Sequence, residues 1–594
     1  MATEIISLKS APGVKRDGTM LEGDNYVAAQ WCRFQRGLPR KMGGYRSINK
    51  YLQHLPRSLY EYMKDDLTYV HAGSATAVER FVIDGSYNTS VITDRTPAAL
   101  TANSNNLWTF DADHDGADLN LLAHVAPNLE CVCSSGQGQL FIGGMFALAD
   151  LTQVSTFPAG YSLSGGIVAL HPYTVGFGND GFVMWTPDFT DWTVAGAGSA
   201  YVTGQKIIRG MPMRGGPGYS PAGLLWSSDS LLRMSYVGGT QVFQFDTLTT
   251  QSSILASNSV IDYDGIFYWL GRDRFLMFNG VVKELPNDMN LNFFFDELNY
   301  DYRQRIFTFK IPRYGEIWWC FPRGDSTEPN HAIVYNVREN TWYDTALPGE
   351  GRGAALSALT FPKPLMSGVE EQDYNLTGVT VVGGGTGYTV GDVLDIVGGA
   401  GQITAQITVA TVSVGVITAV TISNAGRYTS TPSNPAAVTG PGNDDATFTL
   451  TWTRPYKFWV HEVGTDMVDG TDISPIQSYF ETSDISLPSL AGQNKAVEVL
   501  CMEPDFVQTG DMTVRVKGRS NSRAGDISGP VKTFVANPTT PEEQIVYFKE
   551  QRRELRFLFE SNTVGGDYQM GQTLVHVQPG DGTLLGAVED GEET

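Results

Sequence analysis

Gly265-Ile266-Phe267-Tyr268-Trp269-Leu270-Gly271-Arg272-Asp273-Arg274-Phe275-Leu276-Met277-Phe278-Asn279-Gly280 reads as two short apolar strands, a polar turn between them and a second turn at the end. Both apolar runs are too short for a helix and are rich in aromatic residues, as strands are. Asn279-Gly280 before Val281-Val282 predicts a two-residue hairpin, because turns that match strand twist need positive φ, which Gly and Asn adopt most easily.

The same wording recurs on both sides. Phe182-Val183-Met184-Trp185 runs to Asp191-Trp192, Leu225-Trp226-Ser227-Ser228-Asp229 follows, and Glu316-Ile317-Trp318-Trp319-Cys320 comes last. The steps from Trp185 to Trp226, Trp269 and Trp318 are 41, 43 and 49 residues. Short strands repeating at about 40–50 residues are the spacing of β-propeller blades. Four units are clear, and one or two more are expected from residues 60–170 or from the C-terminal part. Aromatics at one per unit are expected as hydrophobic wedges between blades rather than as sugar-stacking platforms.

The chain has 594 residues, 65 glycines and 29 prolines, and it lacks long runs of Ala, Leu, Glu and Lys. That predicts an all-β protein of several domains. The strongest helix candidate is short, Arg57 to Lys64, where Leu59, Tyr60 and Met63 share a helical face. The balance of 41 basic against 64 acidic residues, a net charge of −23, argues against gripping nucleic acid and suits a surface past which DNA slides. Cys32, Cys131, Cys133, Cys320 and Cys501 show no zinc spacing and are expected as buried free thiols in a reducing cytosol. Met1 to Arg16 does not read as a signal peptide. The most apolar window, Ile403 to Ile422, is broken by Gln406 and by hydroxyl residues and would not span a bilayer.

These shifts in composition divide the chain into an N-terminal arm and lead-in (1–59), propeller blades (60–370), an inserted Gly/Thr/Val-rich β-module (371–453), a C-terminal β-sandwich-like region (454–585) and an acidic tail (586–594). The inserted module carries an internal echo: Val379-Thr380-Val381 leading to Gly385, Tyr388 and Thr389 resembles Val420-Thr421-Ile422 leading to Gly426, Tyr428 and Thr429. Its Gly383-Gly384-Gly385-Thr386-Gly387-Tyr388 run fails the spacing of a phosphate loop and no helix is expected after it.

No constellation of catalytic residues stands out. Asp111-Ala112-Asp113-His114-Asp115-Gly116 matches the first half of a calcium loop, but Leu122 stands where a bidentate Glu should close the sphere. Asp111, Asp113 and Asp115 are therefore a weak metal candidate, and a solvated acidic turn is the expected state. Ser227-Ser228-Asp229-Ser230 lacks the Gly and Trp of the sialidase Asp-box, no GxSxG occurs, and the eight histidines form no HExxH. No enzyme activity and no cofactor are expected.

The words around the tryptophans are similar to those of the tail-hub or nozzle proteins of short-tailed bacteriophages, the packaged-DNA stabilisation proteins. The segment 265–280 with Glu284-Leu285-Pro286 carries this resemblance, with Glu316-Ile317-Trp318-Trp319, Ile333-Val334-Tyr335-Asn336 and Glu339-Asn340-Thr341-Trp342. So do Arg33-Phe34 to Gly44, Trp185 to Trp192, Glu503-Pro504-Asp505-Phe506, Arg552 to Glu560, and Tyr568-Gln569-Met570-Gly571 before Gly580-Asp581-Gly582. Two departures stand out: Glu550 and Glu554 dilute an Arg-rich stretch, and Tyr568 replaces an expected Trp. The module resembles Gly-Tyr-Thr-Val-Gly-Asp β-domains grafted onto phage structural proteins, through Gly387 to Asp392 and Asn424 to Thr429.

The resemblance implies a virion structural protein, assembled in the host bacterial cytoplasm. A homo-hexameric ring would continue the portal–adaptor channel, retain packaged double-stranded DNA and conduct it at ejection without sequence-specific binding. It would also offer attachment sites for tail fibres, spikes or a needle. Two other readings stay open: a receptor- or glycan-binding propeller of the tail tip, and a tail-associated glycan hydrolase.

Overall fold

In the computed structural model, residues 3–8, 10–19, 24–64, 66–114, 119–127, 139–144, 151–161, 163–213, 221–357, 361–485, 496–520, 524–536 and 545–580 are described. The fold is all-β, and the one α-helix among these residues is Leu291–Glu297. The chain divides into two units. The first comprises 1–49, 56–366 and 459–594, and the second 50–55 and 367–458.

Six four-stranded antiparallel sheets follow one another in unit 1, each built from consecutive strands: 56–94, 106–153, 166–201, 207–249, 260–284 and 307–346. The first strands of successive sheets lie side by side. Pro56–Lys64 neighbours Asn106–His114, which neighbours Gly166–Leu170, which neighbours Ile207–Pro212. The short turn Ser257–Ser259 links that strand to the fifth sheet, whose Val260–Tyr263 neighbours Phe307–Ile311. Phe307–Ile311 in turn meets Arg352–Leu356, and Arg352–Leu356 meets Pro56–Lys64 again, so the circuit closes.

Tryptophans fill the seams between these sheets. Trp185 meets Phe243 edge-on at 5.5 Å, Trp226 meets Trp269 at 5.8 Å, and Phe275 meets Trp319 at 5.1 Å, each pair joining two neighbouring sheets. Trp226, Trp269 and Trp319 are wholly buried. Offset and edge-to-face pairs add to the area that large rings bury, so these contacts fasten sheet to sheet.

Two expectations are corrected. Arg57 to Lys64 is strand rather than helix, because Pro56–Lys64 forms a hairpin with Leu67–Ser74 and Met63 of the supposed helical face points to solvent. The Asn279-Gly280 hairpin forms, but Phe278 pairs with Val282 across a three-residue loop, and Gly280 supplies its positive φ of 103°.

Two further sheets of unit 1 share one core. One runs Cys32–Gln35, Leu38–Lys41, Asp567–Pro579, Val497–Thr509 and Val546–Arg552; the other runs Ala28–Gln30, Ser478–Glu481, Glu554–Ser561, Met512–Arg519 and Ile527–Ser528. Met512, Val514 and Val516 alternate inward against Phe557 and Phe559, and Val499, Val575 and Val577 join the same cluster. The N-terminal strands are thus built into sheets made mainly from the last hundred or so residues.

Unit 2 has its own core. Its six-stranded sheet runs Asn375–Gly383, Thr447–Thr453, Ala436–Thr439, Val393–Ile396, Gln406–Ser413 and Val416–Asn424. The internal echo has a structural counterpart. Tyr388 and Tyr428 are both buried, and their hydroxyls accept the backbone N–H groups of Ala446 at 3.3 Å and Ala405 at 3.1 Å. Gly385 and Gly426, which precede them, both have positive φ.

Candidate functional site

The first strands of five of the six sheets, all but the third, line a cavity of about 140 Å³ together with Asn258 and Arg352–Leu356. Its wall takes Arg57, Ser58 and Tyr60 from the first sheet, Trp108 and Phe110 from the second and Arg209 from the fourth. Asn258, Thr308 and Ala354 complete it. Residues two apart on a strand share a face, which is why Ser58 with Tyr60 and Trp108 with Phe110 both reach it.

Polar side chains lace the wall together. Ser58 Oγ donates to Trp108 O at 2.7 Å, Thr308 Oγ1 to Asn258 O at 3.0 Å, and Asn258 Nδ2 to Arg57 O at 3.3 Å. The first two bonds tie neighbours in the circuit, and the third reaches across it from the turn before the fifth sheet to the first strand of the first. These groups hold the cavity's shape.

The charge of the cavity opposes that of the chain. Arg57 and Arg209 line it and no carboxylate does. Past Arg57 and Asn258 lies a smaller recess of about 20 Å³ that Arg305 also lines. Arg57 and Arg305 both bind Glu328, Arg57 with Nη2 at 2.8 Å from Oε1, so two guanidinium groups share one carboxylate. Burial, together with the nearby charge of Arg57, lowers the pKa of Arg305. Arg209 is half-buried, its Nε has no hydrogen-bond partner, and burial lowers its pKa against the opposing pull of Asp111.

Asp111 and Asp113 lie in the strand Asn106–His114, not in a solvated turn, which corrects that expectation. Asp111 Oδ2 accepts the Ala169 N–H at 2.8 Å and Oδ1 accepts the Ala112 N–H at 2.9 Å. Burial pushes its carboxyl up to about 6. Asp113 is buried and accepts from Thr174 Oγ1 at 2.9 Å, with His171 Nδ1 at 3.0 Å. The two carboxylates therefore fasten the second sheet to the third. In a strand, side chains two residues apart are about 6.6 Å apart along the chain, whereas a calcium loop curls its oxygens onto one point. Asp115 lies outside the described residues, among which no group of three or more potential metal ligands occurs.

In the Gly-rich run of unit 2, Thr386 N–H and Oγ1 both donate to Asp445, at 2.8 Å each, so a carboxylate rather than an anion-binding cradle faces the run. Cys32, Cys320 and Cys501 are free, and Cys32 and Cys320 are buried. Cys131 and Cys133 lie outside the described residues.

Sequence reasoning missed Arg57, Arg209 and Arg305, which belong to no motif. Arg209 carries a signal, a single charge in an otherwise apolar or small-residue stretch, Ile207-Ile208-Arg209-Gly210-Met211, whereas Arg305 lies among other polar residues and carries none. No protein-family model and no curated protein matches the chain.

Proposed function

We propose that this chain is a bacteriophage virion structural protein of the tail-hub or nozzle type. Its six sheets, with the sheet that begins at Arg352–Leu356 as a seventh blade, form a β-propeller. Copies of the chain form a sixfold ring that continues the portal–adaptor channel, holds packaged DNA and conducts it during ejection. Fibres or spikes attach to the same ring.

One observation carries this reading. Several of the phrases that resemble the nozzle family, from 33–44, 316–319, 333–336, 552–560 and 568–571, lie far apart in the chain yet share one core, while those at 185–192 and 265–280 pack in neighbouring clusters. Arg33 pairs with Glu316, and Phe34, Met42, Trp318, Val334, Phe557, Tyr568 and Met570 belong to the shared cluster. The net charge of −23 supports a conduit, since an acidic ring repels phosphate and lets DNA pass. Burial of Trp226, Trp269, Trp318 and Trp319 counts against the glycan-binding alternative, which needs exposed rings.

The test is the mass and symmetry of the particle that the purified chain forms with portal and adaptor proteins. Six copies per complex are expected by native mass spectrometry and by electron microscopy. A chain that stays monomeric with portal and adaptor present, and that virions contain in a non-sixfold number, overturns the reading.

A further inference from the structure

We propose that the axial cavity of unit 1 binds a small oxyanion, a phosphate- or carboxylate-type group, gripped by Arg209 and faced by Arg57. The inference stands on the geometry of the cavity and does not depend on the hub reading.

Arg209 is the centre of the argument. A guanidinium offers five N–H donors in a fixed planar fork and stays charged at any ordinary pH. Here the Nε is buried without a hydrogen-bond partner, while part of the side chain opens onto the cavity. Leaving a buried charge incompletely paired is costly, and native proteins rarely do so without a reason. The nearby carboxylate of Asp111, which accepts the N–H groups of Ala169 and Ala112, offsets this charge through space but makes no hydrogen bond to the guanidinium.

The surroundings point to the same class of ligand. Arg57 and Arg305 share the single carboxylate of Glu328, which leaves the recess beside the cavity one positive charge in excess. The neutral donors of the wall are engaged, Ser58, Thr308 and Asn258 with backbone carbonyls and Tyr60 with Asp111. What remains for a ligand is guanidinium, and guanidinium pairs best with oxyanions in a two-point contact. The 140 Å³ cavity has room for a compact oxyanion together with several waters.

The experiment uses the full-length chain and isothermal titration calorimetry. Sodium phosphate and sodium acetate are titrated in separate arms, against sodium chloride at matched ionic strength. Saturable binding of one anion per chain is expected in at least one arm, and the arm that binds assigns the ligand as phosphoryl or carboxylate. Affinity should fall about 10–100-fold in Arg209→Gln and by an intermediate amount in Arg209→Lys, which keeps the charge but not the two-point fork. Circular dichroism and a thermal melt check that each variant folds. If Arg209→Gln does not fold, crystals of the parent soaked in selenate should show an anomalous peak within hydrogen-bonding reach of the Arg209 guanidinium. The proposal is overturned if neither anion gives saturable heat beyond chloride. It is equally overturned if a folded Arg209→Gln binds as tightly as the parent, or if selenate leaves the cavity empty. A negative result leaves the sixfold assembly test untouched, and a failed assembly leaves this one untouched.

Discussion

Arg16 and Asp344, 328 residues apart in sequence, meet in a two-point ion pair: Nε donates to Oδ1 at 2.9 Å and Nη2 to Oδ2 at 3.0 Å. His331 Nε2 lies 3.0 Å from the same Oδ2, and Asp344 is wholly buried. Burial alone would raise the carboxyl. The charge of Arg16 and the bonds from His331 and Arg16 overcome that and hold it at about 2, against an ordinary value of 3.8. A depressed folded-state pKa contributes stability that is fully present above the unfolded value and is lost as pH falls through the folded one. Between pH 6 and pH 2, urea melts should therefore show the parent losing up to about 2 kcal/mol more stability than Asp344→Asn, at about 1.4 kcal/mol per pKa unit. Equal losses in the two proteins would show that the pair does not govern acid stability.

Arg33 joins the N-terminal strands to the sixth sheet and to Glu462. Its Nη1 and Nη2 donate to Glu462 at 2.8 and 2.6 Å, and Nη2 donates to Glu316 at 3.2 Å. Nε lies 2.8 Å from Glu316 Oε1 at an angle that makes an ion pair but no hydrogen bond. Arg33→Met strands the wholly buried Glu316 and should cost about 3–5 kcal/mol in denaturant titrations. Adding Glu316→Gln to that variant should restore part of the loss, since it removes the orphaned charge. A double variant that loses the sum of the two single losses would contradict the coupling.

Trp226 and Trp269 pack on each other, but their indole N–H groups differ. Trp269 Nε1 donates to Ser253 O at 3.1 Å, whereas Trp226 Nε1 is buried with no partner. Replacing each by Phe removes comparable volume. Only Trp269→Phe also removes a hydrogen bond, so it should be the more destabilising by about 1 kcal/mol. Thermal melts of the two variants measure the difference directly, and a reversed order would refute the assignment.

Tyr388 and Tyr428 occupy matching positions in the two halves of unit 2. Tyr388→Phe and Tyr428→Phe each leave a buried backbone N–H, of Ala446 or Ala405, without its acceptor, at about 1–3 kcal/mol apiece. Because unit 2 buries a core of its own, scanning calorimetry should show both changes moving one unfolding transition and leaving the other in place. A shift of the whole profile would count against an independent core.

Local sequence determined much of this protein. Short aromatic runs between turns made it all-β, and Phe275–Phe278 pairs with Val282–Glu284 where the Asn-Gly signal lies. Trp185, Trp226 and Trp269 are buried between neighbouring sheets, as their regular spacing implied, whereas Trp318 packs instead on Trp31. These features depend on periodicity and turn chemistry that act within a few residues. Pro56–Lys64 marks the limit of such reasoning: Leu59, Tyr60 and Met63 suit a helical face, and only the pairing with Leu67–Ser74 decides for strand. Tertiary structure alone decided which distant residues meet. It placed Cys32–Gln35 and Leu38–Lys41 in a sheet with Asp567–Pro579, set Arg16 on Asp344, and turned Asp111 and Asp113 from a supposed loop into fasteners between sheets. It also brought Arg57 and Arg209 to one cavity from the first strands of two different sheets. A strand's sequence says which face is apolar, but the closure of the circuit of sheets sets which strands share an axis, and that closure is a property of the whole chain.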